Sequence, residues 1–166
     1  MFNLSSITMP PQNFLETAPL WSGEMSHPRN QPYPAHLLDF SILVVEDCAT
    51  TNKIIHKLLL ANSFSNILSV SSGEEAIELL NSMERLPDII LSDWSMGNVD
   101  GLQLLEFVRN MTPHCIFIMV TVQDCPEAIM LAKAHHVDGY IVKPVTRRKL
   151  IDEIELTISR LSIEHD

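Results

Sequence analysis

Cysteine, basic residues and long apolar runs are all scarce in this chain. Its 166 residues include 3 Cys, at positions 48, 115 and 125, with no Cys-x-x-Cys spacing. An odd, unpaired set of that size excludes a disulfide framework and predicts reduced thiols in a cytosolic compartment. Lys and Arg number 11 against 21 Asp and Glu, a formal net charge of -10. That balance excludes the basic face on which direct binding of nucleic acid or of an anionic membrane depends. It suits a carboxylate-rich cation site or a basic protein partner. No segment is apolar for long enough to span a bilayer. The N-terminus lacks the basic stretch and apolar core of a secretory signal. The expectation is a soluble, cytoplasmic protein.

What is present divides the chain in two. Residues 1–37 hold 6 of the 10 prolines and, histidines aside, a single basic residue, Arg29. Proline removes backbone donors and disfavours helix at the residue before it. Residues 1–37 therefore read as a disordered, Pro-rich N-terminal extension. Residues 38–163 read as one globular domain, in keeping with 46% hydrophobic residues overall.

Within that domain, short apolar runs alternate with helix-like segments. The runs are residues 41–46, 67–70, 88–93, 115–121 and 139–143. Near-continuous apolar runs of this length suit strands buried on both faces. The first intervening segment carries Ile54, Leu58 and Ala61 at helical spacing. Ser72 and Glu75 form a capping-box pattern ahead of Ala76, Leu79, Leu80 and Met83. Gly101 opens a third segment with Leu104, Leu105 and Val108. Pro126 stands where a first helical turn tolerates proline, ahead of Ile129, Met130 and Ala132. Thr146 can cap a last helix with Leu150, Ile154, Ile158 and Leu161. Five strands alternating with five helices predict a parallel sheet covered on both faces.

In such sheets, sites form beyond the carboxyl ends of the strands. Glu46 and Asp47 end the first run, Asp93 the third, Thr121 the fourth and Lys143-Pro144 the fifth. Crowded carboxylates resist joint ionisation unless a cation compensates. Magnesium (Mg2+) prefers few protein carboxylates, several waters and phosphate oxygens. A single acid after a strand is commonly a turn or helix cap. Three at matching strand ends point to metal or phosphoryl chemistry. Asp93, alone at a central strand end, is the candidate nucleophile. Lys143 supplies a point charge to a phosphate oxygen and Thr121 a hydroxyl.

These residues resemble the receiver domain of bacterial two-component response regulators. The likeness runs from about Asp39 to Leu161. It rests on Leu-Val-Val-Glu46-Asp47, on Ser-Asp93-Trp-Ser-Met followed by Asp100-Gly101, on Met-Val-Thr121 and on Tyr140-Ile-Val-Lys143-Pro144. Ser-Asp-Trp and Met-Val-Thr look most like the single-domain chemotaxis regulators of that family. The resemblance implies a flavodoxin-like (βα)5 fold with strand order 2-1-3-4-5. It implies Asp93 as phospho-acceptor. Asp47, Asp93 and the Ser95 backbone carbonyl would be magnesium ligands, with Glu46 acting through water. Thr121 and Tyr140 would be a switch pair, and Lys143 the phosphoryl contact, with a cis bond before Pro144. Ser95 and Gln123 stand where dephosphorylation is tuned.

The implied partners are a histidine kinase or histidine phosphotransfer protein, and a downstream protein on the face of the fourth helix, fifth strand and fifth helix. No nucleic-acid-binding or enzymatic output domain is expected after the fifth helix. Output is therefore expected through protein contact or phosphorelay, with no enzyme activity beyond the domain's own phosphorylation and dephosphorylation. Two residues depart from the family pattern. Gly97 replaces the usual proline, and Val122 stands where a small residue is common. They support the alternative of a receiver-like interaction module that is not phosphorylated. A flavin carrier would need a Ser/Thr/Gly-rich loop where Glu46-Asp47-Cys48 stands. An aspartyl phosphatase would need an acid at Ser95.

Three further clusters have plainer readings. Arg147-Arg148-Lys149 oppose the dipole of the last helix and read as a solvated face or a contact for an acidic partner. His135-His136 point different ways and read as surface polarity. Cys48 reads as a small packing residue whose pKa the neighbouring acids raise.

Overall fold

The computed structural model describes residues 39–163, Asp124 excepted; the predicted extension over residues 1–37 lies outside the described residues. Among the described residues, five strands alternate with five helices. They are β1 (Ile42–Val45), α1 (Ala49–Leu60), β2 (Ile67–Val70), α2 (Gly73–Ser82), β3 (Ile89–Asp93), α3 (Gly101–Met111), β4 (Ile116–Thr121), α4 (Pro126–Ala134), β5 (Gly139–Val142) and α5 (Arg147–Ile163). The sheet is parallel throughout, in the order β2-β1-β3-β4-β5. Both the alternation and the strand order stand as expected. No helix of the described residues is long and apolar enough to cross a membrane.

Two apolar layers hold the sheet between the helices. On one face Leu43, Val45, Ile90, Phe117 and Met119 pack against Ala76 and Leu80 of α2, Leu104, Leu105 and Val108 of α3, and Ala128 and Ala132 of α4. On the other, Ile42, Val44, Leu91, Ile118 and Ile141 meet Ile55 and Leu59 of α1 and Leu150, Ile151 and Ile154 of α5. Each fully buried aliphatic side chain contributes about 1.5 to 3 kcal/mol. The strands buried on both faces are β1, β3 and β4. β2 and β5 are partly exposed because they are the outer strands.

Helix faces were less legible than strands. α1 buries Ile55 and Leu59, one residue along from the predicted stripe, and leaves Ile54 43% exposed. α4 buries only the small Ala128 and Ala132, and Met130 is 66% exposed. In α1 the adjacent apolar residues Ile54 and Ile55, and Leu58 to Leu60, offer two neighbouring stripes, and α4 is apolar around most of its circumference, so periodicity alone does not choose a face.

Local chemistry starts the helices that lead to the site. The Ser72 hydroxyl accepts from the Glu75 N–H at 3.1 Å, while the Glu75 carboxylate turns to the N–H and hydroxyl of Ser71. Asp100 and Gln103 form a reciprocal capping box at α3. Gly101 follows it for a steric reason. A Cβ there would strike the Asp93 carbonyl oxygen and lie 2.9 Å from the Trp94 Cα. The first turn of α3 thus packs directly against the backbone that carries Asp93.

Candidate functional site

Strand register brings the predicted acids together. Val45 lies beside Ser92, so the next residues, Glu46 and Asp93, emerge side by side from β1 and β3. Glu46 is 1% exposed and Asp93 7%, whereas Asp47 faces solvent. One carboxylate oxygen from each of Glu46, Asp47 and Asp93 lies within 4.8 Å of the others. Across the sheet, Thr121 pairs with Val142, and Lys143 follows one residue later. Its ammonium donates to Asp93 Oδ2 at 2.8 Å and to Glu46 Oε1 at 3.0 Å. Glu46 Oε2 is 2.8 Å from the same ammonium but has no hydrogen bond of its own. The peptide bond between Lys143 and Pro144 is cis, as the resemblance implies.

One lysine therefore pairs with two of the three carboxylates, Glu46 and Asp93. Burial is the main cause raising the Glu46 pKa; the bond from Lys143 opposes it and the charge of Asp93 adds to it. For Lys143, desolvation alone would lower the pKa. Its hydrogen bonds to Asp93 and Glu46 outweigh that and hold the ammonium above the ordinary lysine value. The cluster keeps excess negative charge beside an exposed acid, and a hard divalent cation fits that donor set. Asp47 and Asp93 would hold it directly. The Ser95 N–H donates to Asp93 Oδ1 at 3.3 Å, which sets the Ser95 backbone against the same carboxylate. A cleft of about 310 Å3 lined by Asp47, Asn52, Lys53, Ser69, Ser71 and Glu75 opens beside the acids.

The other predicted residues form a second chain of contacts. Thr121 is fully buried, and its hydroxyl oxygen accepts from the Gln123 N–H at 3.1 Å. The Gln123 carbonyl accepts from the Tyr140 hydroxyl at 2.9 Å. The Tyr140 ring meets Trp94 edge-on, with centroids 6.5 Å apart and planes at 83°. A continuous line of contacts thus runs from the residue after Asp93, through Tyr140, to the loop after β4. Val122 on that loop is 69% exposed.

Comparison with known proteins gives this geometry a family. The family model described as response regulator receiver domain matches residues 42–155. The chain belongs to the response regulator receiver family. It is 33% identical over 123 residues to the chemotaxis protein CheY of Pseudomonas aeruginosa, covering 73% of this chain and 98% of that protein. It is 30% identical over 125 residues to CheY-3 of Vibrio cholerae, covering 74% and 95%. Among solved structures, a receiver domain protein from Clostridium thermocellum superposes with a TM-score of 0.67 at 27% identity, covering 75% of this chain and 98% of that one. The chain is thus a CheY-like receiver, and its place is in two-component signalling.

The receiver departs from the sequence reading at Cys48. Cys48 is exposed rather than packed. Its pKa is lowered, first by the Thr51 hydroxyl and then by backbone N–H groups of Thr51 and Thr50, which outweigh Glu46. The start of α1 favours a thiolate more than the acids disfavour it. The basic cluster is exposed, as a solvated face requires, and also bonds within the domain. Lys149 folds back onto the carbonyls of Val142 and Pro144, and Arg148 pairs with Asp152 of its own helix. His135 pairs with Glu106 at 3.1 Å, and His136 takes a positive φ of 61° while its carbonyl accepts from Arg109. Sequence reasoning missed Trp94, Lys149 and Glu153 as neighbours of the site. The aromatic directly after Asp93 was the one available signal.

Proposed function

We propose that this receiver accepts a phosphoryl group on Asp93 from a phosphohistidine donor, with magnesium bound beside it, and signals through phosphorylation-dependent protein contact or phosphorelay. The observation that carries the reading is the convergence of Lys143, Glu46 and Asp93 within 3.0 Å of one ammonium, with Asp47 completing a three-carboxylate cluster. A carboxylate oxygen of Asp93 attacks phosphorus, and the donor imidazole departs. Lys143 meets a phosphoryl oxygen, and the Thr121 hydroxyl a second. Asp47, Asp93 and the Ser95 carbonyl would hold magnesium, and Glu46 would act through water. Bound there, the ion neutralises charge developing on the transferring group. Such catalysis is positioning and electrostatics.

Phosphorylation adds roughly two negative charges and strong acceptor oxygens. Thr121 turns toward them, and Tyr140 repacks against α4, β5 and α5, shifting the population between two packings. Ser95, two residues after Asp93, and Gln123, two after Thr121, set how fast water removes the phosphate. Gln123→Ala is expected to slow phosphate release. Family membership supports a histidine kinase or phosphotransfer protein as donor, a downstream protein as target and the cytoplasm as location. The testing experiment combines magnesium-dependent phosphorylation with a pull-down, comparing the native chain with Asp93→Asn. Labelling and partner capture that both vanish in the variant support the reading; equal labelling of the variant overturns it.

A further inference from the structure

β5 is an outer strand of the sheet. Side chains of α5 supply what a further strand would otherwise give it. Arg160 Nη2 donates to the Asp138 carbonyl at 3.3 Å. Glu153 Oε1 accepts from the Tyr140 N–H at 3.1 Å. Lys149 Nζ donates to the Val142 carbonyl at 2.9 Å and to the Pro144 carbonyl at 3.4 Å. Residues 149, 153 and 160 fall on one stripe of the helix. The stripe follows the strand from its start to the residue after Lys143.

Lys149 holds the most consequential end. It sits in the first turn of α5, where the helix dipole disfavours a cation. Its placement is therefore explained by what its ammonium touches. The two carbonyls it bonds belong to the residues on either side of Lys143. On the inner side, the Lys143 N–H donates to the Thr121 carbonyl at 2.7 Å. The peptide units around Lys143 are thus pinned from both sides, by β4 and by α5. The 2.9 Å bond to the Val142 carbonyl is charge-assisted and the stronger of the two.

We infer that Lys149 is a positioning residue for Lys143: it clamps the carbonyls of Val142 and Pro144 and so fixes the backbone from which Lys143 reaches Asp93 and Glu46. The inference rests on the reading of Lys143 as the phosphoryl contact. Lys149 itself touches no reacting atom. Its effect passes through the Lys143 backbone, where a displacement near 1 Å can cost up to ~100-fold in rate.

The test uses Lys149→Met, which keeps the stem and removes the ammonium, and Lys149→Arg as the conservative rescue. Asp93 labelling is followed with acetyl phosphate and magnesium, alone and in a Lys143→Met background, with thermal midpoints as a folding check. Lys149→Met is expected to lower the maximal labelling rate about 5- to 20-fold at an unchanged half-saturating donor concentration. Lys149→Arg keeps most of the rate, and Lys149→Met has no further effect once Lys143 is gone. Amide hydrogen exchange supplies a readout independent of labelling: the Lys143 N–H loses protection in Lys149→Met while the Val45 N–H does not. A native chain that takes no label sinks the phosphoryl reading but leaves exchange to judge the clamp. Native-like protection at Lys143, or an equal rate loss with and without Lys143, overturns the inference.

Discussion

The two ends of the sheet carry the same kinds of residue in opposite circumstances. At the amino end, Asp88 Oδ2 accepts from both the N–H and the hydroxyl of Ser41 at 2.8 Å, and Oδ1 from Arg85 at 3.2 Å. Asp138 Oδ2 accepts from the Phe117 N–H and from Arg109, each at 2.6 Å. Arg109 also donates to the carbonyls of Cys115 and His136. These acids receive backbone donors and a matched cation, so they tie strand starts to loops. At the carboxyl end, Glu46 and Asp93 share one lysine, and Asp47 adds a third carboxylate within 4.8 Å of them. Saturated polar groups stabilise a fold, and unsatisfied ones mark a place kept for something else. The difference separates structure from function without appeal to residue type.

Stability should respond with opposite sign at the two ends. Asp138→Ala removes the carboxylate from a guanidinium that is 18% exposed, leaving it only carbonyl partners, and leaves the Phe117 N–H without its acceptor. It is expected to cost about 3 kcal/mol in urea unfolding. Asp93→Asn keeps an acceptor for Lys143 and relieves repulsion from Glu46. Its expected effect lies between no change and a gain of about 1 kcal/mol. Equal losses at both positions would erase the contrast.

Magnesium probes the unsatisfied end alone. At 10 to 100 times its dissociation constant it should stabilise the native chain by about 1 to 3 kcal/mol. Asp138→Ala should gain as much. Asp47→Ala and Asp93→Asn should gain little, and a full gain in either would move the ion elsewhere.

Proton linkage sharpens the comparison further. Burial alone would raise the Asp88 pKa; the Ser41 N–H and hydroxyl, with Arg85, outweigh it and hold the carboxyl below its ordinary range. Its stabilising contribution is complete above that range and disappears as pH falls through the depressed value. Glu46 is raised, chiefly by burial. The folded state therefore binds its proton more readily, and stability falls as pH rises from the ordinary glutamate value through the raised one. Asp88→Asn should remove part of the acid-side loss, and Glu46→Gln part of the loss on raising pH. Unfolding midpoints across the acid range would reveal whether both slopes share one sign, which the account forbids. The smallest effect is expected at the loop. A Cβ on Gly97 meets nothing within 4 Å, and its φ is not positive. Gly97→Ala should stabilise by about 0.4 to 1 kcal/mol through the unfolded chain. A loss there would show that the loop needs glycine.

Much of this was legible in the sequence, for identifiable reasons. Strand runs in a parallel sheet are short, apolar and β-branched, so β1, β3 and β4 could be read directly. Glu46, Asp93 and Lys143 stand at run ends, and parallel strands must bring such ends to one edge. The face of α1 was misread by one residue because Ile54 and Ile55 are adjacent and equally apolar. The amino-end network was invisible because Ser41, Asp88 and Asp138 lie in ordinary loop contexts, far apart in sequence from one another and from Arg109 in the last turn of α3. Lys149 is surface charge, as read, but its bonds to the carbonyls of Val142 and Pro144 were not legible because nothing local reveals that β5 ends the sheet beside it. Cys48 was misjudged because the count of nearby acids ignored the hydroxyl and N–H groups opening α1.

The most direct test is reductive trapping with borohydride after exposure to acetyl phosphate, with peptide mapping to find the converted side chain. The account predicts conversion at Asp93 alone, dependent on magnesium and abolished by chelation. Conversion at Glu46 or Asp47 instead, or none at all in the folded native chain, would contradict it.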